Sequence, residues 1–145
     1  MRRLLRRTIE LVGSCGAREL SNIAHGLAKC TLVGLDGETG ALFAAVAEAA
    51  VRGGLSSFEP QELANTAWAF ATSDHAAPTL LDPIAAAAAP RLRDFTPQGL
   101  TNTAWAFAAA DHLAPVLFDS HAFVQLCAVR SFAPEQLSQL HQWQL

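Results

Sequence analysis

Apolar residues recur along this chain with the spacing of amphipathic helices. After Leu63 they return four, seven and eight positions later, which places them on one side of a helix. Trp68 is expected to widen that apolar stripe. A proline suits the first helical position, where its missing N–H needs no partner. Three segments open in this way, at Pro60, Pro97 and Pro134.

A second helix is expected after each of these segments, over 78–93 and 115–130. Pro90 should end the first of these helices early, because proline interrupts the hydrogen-bond pattern of a helix. Pro83 inside that helix would cost about 3 kcal/mol. A helix that begins at Pro83, with Asp82 as its cap, is therefore the alternative.

The chain contains an internal repeat. Residues 58–71 read FEPQELANTAWAFA, and residues 95–108 read FTPQGLTNTAWAFA. Segments 58–94 and 95–131 align without a gap and share 19 of 37 residues, which indicates duplication. A further unit opens at Phe132, and a diverged one near 19–24 carries about six extra residues, placed in 34–40.

Paired helices in such repeats bury their apolar faces by stacking on their neighbours. The sequence therefore predicts an all-α fold, a right-handed α-solenoid of stacked helix pairs with a repeat of about 37 residues. The expected division is a basic helix that ends an upstream repeat or targets the chain (1–14), a diverged repeat 1 (15–57), repeat 2 (58–94), repeat 3 (95–131) and the first helix of a truncated repeat 4 (132–145). We expect the chain to be a piece of a longer array.

Composition supports helices and indicates no catalytic chemistry. Of 145 residues, 29 are alanine, the best helix former. The three cysteines show neither a disulfide pattern nor zinc-ligand spacing. No Ser/His/Asp set or glycine-rich phosphate loop occurs, so we expect no enzyme activity, no metal, no cofactor and no small-molecule substrate. The apolar runs are too short to cross a membrane.

Net charge is −3, which argues mildly against nucleic acid as a partner. The charge is uneven, because residues 1–57 sum to +2 and residues 58–145 sum to −5. The start of the chain, MRRLLRRTI, carries four arginines and no acid. It fits either an organellar transit peptide or the second helix of an upstream repeat.

Amides return at equivalent positions of the repeats, at Asn22, Asn65, Asn102 and Gln139. Asparagine is a mediocre residue inside a helix, so its return needs a reason. One interpretation is an amide ladder between stacked repeats. The other is a row that reads one base per repeat. Gln61 and Gln98 precede their asparagines by four residues, and Thr66 and Thr103 follow them directly.

Other repeated residues have a structural and a functional interpretation. Trp68, Trp105 and the equivalent His25 either fill the interface between helix pairs, the favoured interpretation, or stack on bases. Arg93 and Arg130 either complement a helix dipole or contact phosphates. The repeated Asp-His pairs at 74–75 and 111–112 are expected to form turns and caps.

The phrase PQxLxNTAWAFA at 60–71 and 97–108 resembles the helical repeats of organellar RNA-processing proteins. These are the octotricopeptide-repeat proteins of algae, the FAST-kinase-like proteins and the kinetoplastid RNA-editing substrate-binding complex. The resemblance implies binding of single-stranded organellar RNA (mRNA or rRNA) in mitochondria, which we prefer, or plastids. The implied role is in RNA processing, stability or translation, together with other proteins of an RNA-processing complex.

The resemblance also implies which residues read the RNA. They are the polar positions of each first helix, namely Asn22, Gln61, Asn65, Thr66, Gln98, Asn102 and Thr103. The rival hypothesis is a protein–protein interaction scaffold without RNA contact. The positions of four arginines relative to the asparagine row should discriminate between the two, namely Arg52, Arg91, Arg93 and Arg130. Arginines that line the same concave groove as the asparagines favour RNA, and arginines scattered over the convex side favour the scaffold.

Overall fold

A computed structural model describes residues 2–32, 39–129 and 132–138, and in this part of the chain the structure is helical and has no strand. The α-helices are α1 (Arg2–Val12), α2 (Ala17–Leu32), α3 (Thr39–Gly53), α4 (Pro60–Thr72), α5 (Pro78–Ala88), α6 (Pro97–Ala109), α7 (Pro115–Phe118) and α8 (His121–Val129). Two 3₁₀ segments, Leu55–Ser57 and Ala89–Asp94, lead into α4 and α6. A last helical segment covers 134–138. The all-α prediction is confirmed.

The helices form two rows. In the first row α4 packs between α2 and α6, and in the second row α3 contacts α1 and α5, which in turn contacts α7. Contacts between α2 and α3 and between α4 and α5 join the rows. Neighbouring helices in each row therefore come from successive repeats of the sequence.

Phenylalanines and leucines at repeated positions fill the space between the rows. Leu63 and Leu100 are fully buried, as are Phe70 and Phe107. The ring of Phe70 meets Phe43 edge-on at 5.0 Å between centroids, whereas the ring of Phe107 meets Phe118 at 5.4 Å. Aromatic contacts thus join the two rows at the equivalent positions Phe70 and Phe107.

The starts of α4 and α6 are capped differently. Thr96 caps α6 as its sequence predicts, because its Oγ1 accepts a hydrogen bond from Gly99 N at 3.0 Å. In α4 the backbone N–H of Glu59 donates to Glu62 Oε2 at 2.8 Å. The phenylalanines before the caps, Phe58 and Phe95, are buried. Each start is therefore fixed by a capping hydrogen bond and an apolar anchor.

The second helices depart from expectation. In the second repeat, α5 begins at Pro78 and runs through Pro83, so the alternative of a helix that begins at Pro83 with Asp82 as its cap is wrong. Core residues on both sides of the proline hold this helix together, because Leu80 and Ile84 are both buried. Its end at Ala88, ahead of Pro90, is confirmed.

In the third repeat, the single helix predicted over 115–130 is also wrong, because two helices cover that stretch. The break falls at Asp119 and Ser120, and Ser120 is the position equivalent to Pro83. Ser120 Oγ donates to Leu117 O at 2.7 Å and accepts from Phe123 N at 3.3 Å. The hydroxyl thus closes one helix and starts the next.

The Asp-His pairs form the turns after α4 and α6. Asp74 has φ of 56° and Asp111 has φ of 50°, a left-handed conformation that asparagine and aspartate tolerate better than most residues. The N–H of His75 donates to Phe70 O at 2.9 Å, and the N–H of His112 donates to Phe107 O at 3.0 Å. These are Schellman caps, so the predicted turn and cap roles are confirmed.

Candidate functional site

The surface of α4 that points away from the second row carries polar and aromatic side chains. Gln61, Asn65 and Trp68 lie four and three residues apart and therefore share one side of the helix. Gln61 is exposed, and the other two are half-buried. Trp68 stands nearly opposite Leu63 around the helix, but it still packs against the core, as expected. It therefore lies between the core and the outward side of α4.

The neighbouring helices present equivalent residues. Since α2, α4 and α6 lie side by side, their outward stripes form one continuous surface, which we name the amide face. Its members are Arg18, Asn22, His25 and Lys29 on α2, Gln61, Asn65 and Trp68 on α4, and Gln98, Asn102 and Trp105 on α6. Asn22 and Gln98 are exposed, whereas Asn102 and Trp105 are half-buried. All three asparagines of the chain lie on this face.

The amide face is more basic than the chain as a whole. Arg18 and Lys29 are exposed on α2, and within the described part of the chain neither takes part in a salt bridge. None of the ten positions of the face is acidic, and Glu19 and Glu62 border the face three residues before Asn22 and Asn65. Sequence reasoning missed these two cations, although Arg18 stands 43 residues before Gln61, the offset that relates Asn22 to Asn65.

A chain of side-chain amides runs into Asn102. Gln136 Nε2 donates to Gln98 Oε1 at 3.0 Å, and Gln98 Nε2 donates to Asn102 Oδ1 at 2.8 Å. The oxygen of Asn102 thereby accepts one hydrogen bond and keeps a second lone pair, and its Nδ2 donors are left for other partners. No hydrogen bond joins asparagines of neighbouring repeats within the described residues, so no Asn–Asn ladder is formed there.

The two predicted threonines lie on the other side of their helices. Thr66 and Thr103 are each only 1% exposed. Their hydroxyls donate to the carbonyls of Glu62 and Gly99 in their own helices, both at 2.7 Å. Hydroxyls held in this way are inaccessible to a ligand on the amide face, which excludes both threonines as readers of RNA.

Aromatic rings bridge the first two helices of the face. The rings of His25 and Trp68 lie 5.2 Å apart between centroids and tilt by 35°. Trp68 and Trp105 also pack against the core, and each side chain stays partly exposed. Burial and the neighbouring Lys29 lower the pKa of His25. His25 Nδ1 is buried and has no hydrogen-bond partner within the described residues.

The arginines divide between surface and interior. Arg93 is exposed in the 3₁₀ segment that leads into α6. Arg91 instead turns inward and donates from Nε to Ala87 O at 3.3 Å. Arg52 is exposed on α3, in the second row, 3.6 Å from the carboxylate of Glu48. Arg130 and Gln139 lie outside the described residues.

The Asp-His turns do not form a metal site. His112 Nε2 lies 2.7 Å from Asp82 Oδ1 and so links the third repeat to α5 of the second. Among the described residues, no group of three or more His, Cys, Asp or Glu side chains could hold a metal ion. The same part of the chain has no helix that is long and apolar enough to cross a membrane.

A cleft of about 570 Å³ lies between α3 and α5. Its walls include Phe43, Val51 and Leu80, and His75 and Arg52 stand at its polar margins. The ring of His75 lies 4.6 Å from that of Phe43. The cleft belongs to the second row and is therefore separate from the amide face.

No family model, no curated protein and no solved structure matches the chain, so the candidate site rests on its own geometry.

Proposed function

We propose that this chain is a right-handed α-solenoid with a repeat of about 37 residues, and that its amide face binds single-stranded RNA without catalysing a reaction. The observation that carries the proposal is the amide face itself. Three neighbouring first helices present an amide and an aromatic ring at repeated positions, and the first of them, α2, adds the cations Arg18 and Lys29. Nucleic-acid-binding surfaces combine these three kinds of group.

Each group has a role in the proposal. The amides of Asn22, Asn65 and Asn102 hydrogen-bond to base edges, one base to each helix. The exposed parts of the Trp68 and Trp105 rings stack on bases, which is worth about 1–3 kcal/mol for each base. Nearly all discrimination between bases is therefore assigned to the first helices.

The second and third repeats differ in how their asparagines read bases in this proposal. Asn102 already accepts one hydrogen bond from Gln98, whereas both of its Nδ2 donors are available, so we expect it to act mainly as a donor to a base edge. The side chain of Asn65 makes no hydrogen bond within the described residues and can turn either its oxygen or its nitrogen toward a base. The third repeat is thus the more restrictive reader.

Phosphates are contacted by two cations of the amide face and by Arg93, which lies outside that face. Arg18 and Lys29 flank Asn22 on α2, and Arg93 precedes α6. These charges offset the acidic composition of the rest of the chain, which by itself would repel RNA. Arg130 is kept as a fourth candidate on the basis of its repeat position alone.

The resemblance of the TAWAFA phrase to the repeats of organellar RNA-processing proteins supports a location in an organelle. We propose an organellar mRNA or rRNA as the ligand, in a mitochondrion or plastid, with a role in RNA processing, stability or translation. Other proteins of an RNA-processing complex are the expected neighbours.

The test is equilibrium binding of a random pool of short single-stranded RNA at several salt concentrations. The cation variant Arg18→Gln/Lys29→Gln should lower the slope of log affinity against log salt by about 0.7 for each phosphate that it no longer neutralises. The amide variant Asn65→Ala/Asn102→Ala should weaken binding by about 1–3 kcal/mol for each base that it no longer hydrogen-bonds. Gln125→Ala, an exposed amide on α8, is the matched control and should bind like the wild type.

A protein-interaction scaffold is the second candidate function, and the cleft between α3 and α5 favours it. Its apolar walls and half-buried His75 suit the side chains of a peptide segment. RNA binding that is absent at low salt, or equally strong in all four proteins, would reject the first proposal in favour of this one.

A further inference from the structure

Three side-chain amides form a chain of hydrogen bonds that begins in the fourth repeat and ends at Asn102 in the third. The backbone N–H of Ala133 donates to Gln136 Oε1 at 2.8 Å, and Gln136 Nε2 donates to Gln98 Oε1 at 3.0 Å. Gln98 Nε2 then donates to Asn102 Oδ1 at 2.8 Å. The start of one first helix is thus connected to the asparagine of the first helix before it.

The direction of this chain is fixed where it begins. The backbone N–H of Ala133 can only donate, so the amide of Gln136 must meet it with its oxygen. An amide that accepts through its oxygen on one side meets its next neighbour with its nitrogen, which can only donate. Each orientation therefore decides the next one. Asn102 consequently accepts from Gln98 and keeps its Nδ2 donors for other partners.

The other junctions between repeats differ at the position of Gln136. Between the second and third repeats that position is Gly99, which has no side chain. Neither Gln61 nor Asn65 makes a side-chain hydrogen bond within the described residues. Between the first and second repeats the position is Glu62. The surroundings of equivalent asparagines are thus set by the start of the following first helix, although α4 and α6 themselves are nearly alike.

We infer that Gln136 is a positioning residue, which fixes the atoms that Asn102 presents to RNA. The base preferred by the third repeat is then set by the first helix of the fourth, and Gln98 transmits the orientation. This inference rests on the proposed binding of RNA to the amide face. Because Asn102 presents donors, the third repeat should prefer bases with an exocyclic keto oxygen, guanine and uracil, over bases with an exocyclic amino group, adenine and cytosine.

One substitution should reverse the chain without removing the hydrogen bond that caps the fourth-repeat helix. A carboxylate can only accept, so in Gln136→Glu one oxygen keeps the bond from the backbone N–H and the other accepts from Gln98 Nε2. The oxygen of Gln98 then accepts from Asn102 Nδ2, which leaves Asn102 Oδ1 for the base. A carboxylate suits this place, because Glu62 accepts from the N–H of Glu59 in the same way at the start of α4.

The test is selection of preferred sequences from a random pool of single-stranded RNA by the wild type, Gln136→Glu and Gln136→Ala. Asn102→Ala identifies the nucleotide that Asn102 reads. At this nucleotide Gln136→Glu should change the preference from keto bases to amino bases, by roughly 5- to 150-fold, the range that one base contact supplies. Gln136→Ala should relax the preference there instead, because Gln98 and Asn102 are then free to turn.

Two controls separate positioning from added charge and from loss of structure. Ser138→Glu places the same charge on an exposed residue of the same helical segment, and it should keep the wild-type preference. The nucleotide read by Asn65 should keep its preference in every variant, because Gly99 gives that repeat no equivalent contact. Thermal unfolding should find Gln136→Glu as stable as the wild type, since glutamate also forms the cap.

The orientation of Asn102 is also measurable without RNA, by hydrogen exchange of its side-chain NH₂ group in NMR spectra. This group should exchange faster in the wild type, where Gln98 bonds to the oxygen of Asn102, than in Gln136→Glu, where Gln98 accepts from Nδ2. Equal exchange rates, or an unchanged base preference in a variant that still binds RNA, would overturn the inference. A wild type that binds no RNA would reject the proposed function and the base preference with it, and the exchange rates would still show whether Gln136 orients Asn102.

Discussion

The second and third repeats, residues 58–94 and 95–131, have nearly the same first helix and different second helices. α4 and α6 both begin at the repeated proline, run for 13 residues and end in a Schellman cap. α5 is continuous through a proline, whereas α7 and α8 are separated by a break at the equivalent position. Two repeats of the same length therefore contribute either one continuous helix or two short helices to the second row.

The residues that are identical between the two repeats lie mostly in their first helices. Eleven of the nineteen identities fall in the first fourteen positions, which correspond to 58–71. A first helix is constrained on several sides, because α4 contacts α2, α6 and α5 and also presents the amide face. A second helix makes fewer contacts within its row. The comparison teaches that the contacts of the first-row helices restrict the sequence of the repeat more than the contacts of the second-row helices do.

The largest expected difference between the repeats concerns their equivalent core phenylalanines. Phe70→Ala should destabilise the fold by about 3–5 kcal/mol, because the side chain is fully buried and leaves a cavity. Phe107→Ala should cost less, since its partner Phe118 lies at the end of the short α7 and can move into the space. Urea unfolding followed by circular dichroism measures both. Equal destabilisation would show that the broken helix is as rigid as the continuous one.

A second difference lies at the position shared by Pro83 and Ser120. Pro83→Ala should stabilise the protein by about 1–3 kcal/mol, because α5 regains a backbone hydrogen bond. This gain is partly offset because the unfolded chain becomes more flexible without the proline. Ser120→Ala should destabilise it by about 1 kcal/mol, since the new helix start loses its cap. Thermal unfolding of both variants checks the opposite signs. A destabilised Pro83→Ala would contradict our account of α5.

Much of this fold could be predicted from the sequence. The repeated prolines mark where α4 and α6 begin, Thr96 caps α6, and the Asp-His pairs end both helices. These are local features, and local features can be recognised without the neighbouring helices. The course of the second helices could not be predicted in the same way, because burial of Leu80 and Ile84 overrides the preference of Pro83.

The candidate site was only partly predictable. The positions of Asn65 and Asn102 follow from the repeat, but Thr66 and Thr103 required knowledge of which side of each helix is buried. Alanine is apolar on every side of α4 and α6, so it obscures the boundary between core and surface. For the same reason the apolar pattern does not show that Trp68, which packs against the core, also borders the outward side of α4.

The smallest expected effect concerns His25, which stands where the later repeats have tryptophan. Its lowered pKa means that the unfolded chain binds a proton more readily than the folded one. This residue should therefore reduce stability as pH falls below 6.5 toward the folded-state pKa, and should leave stability unchanged above that window. His25→Trp should remove this component of the pH dependence. Unfolding curves at several pH values check it, and an unchanged slope would contradict the assignment.

The central claim is that equivalent asparagines of the first row read RNA bases. It is tested most directly by selecting preferred sequences from a random RNA pool with wild type, Asn65→Ala and Asn102→Ala, alongside thermal unfolding of each protein. We expect each substitution to relax the preference at one nucleotide, a different one for each variant, with stability nearly unchanged because alanine is the better helix former. A drop in stability with an unchanged sequence preference would contradict the claim and assign these amides to the stack itself.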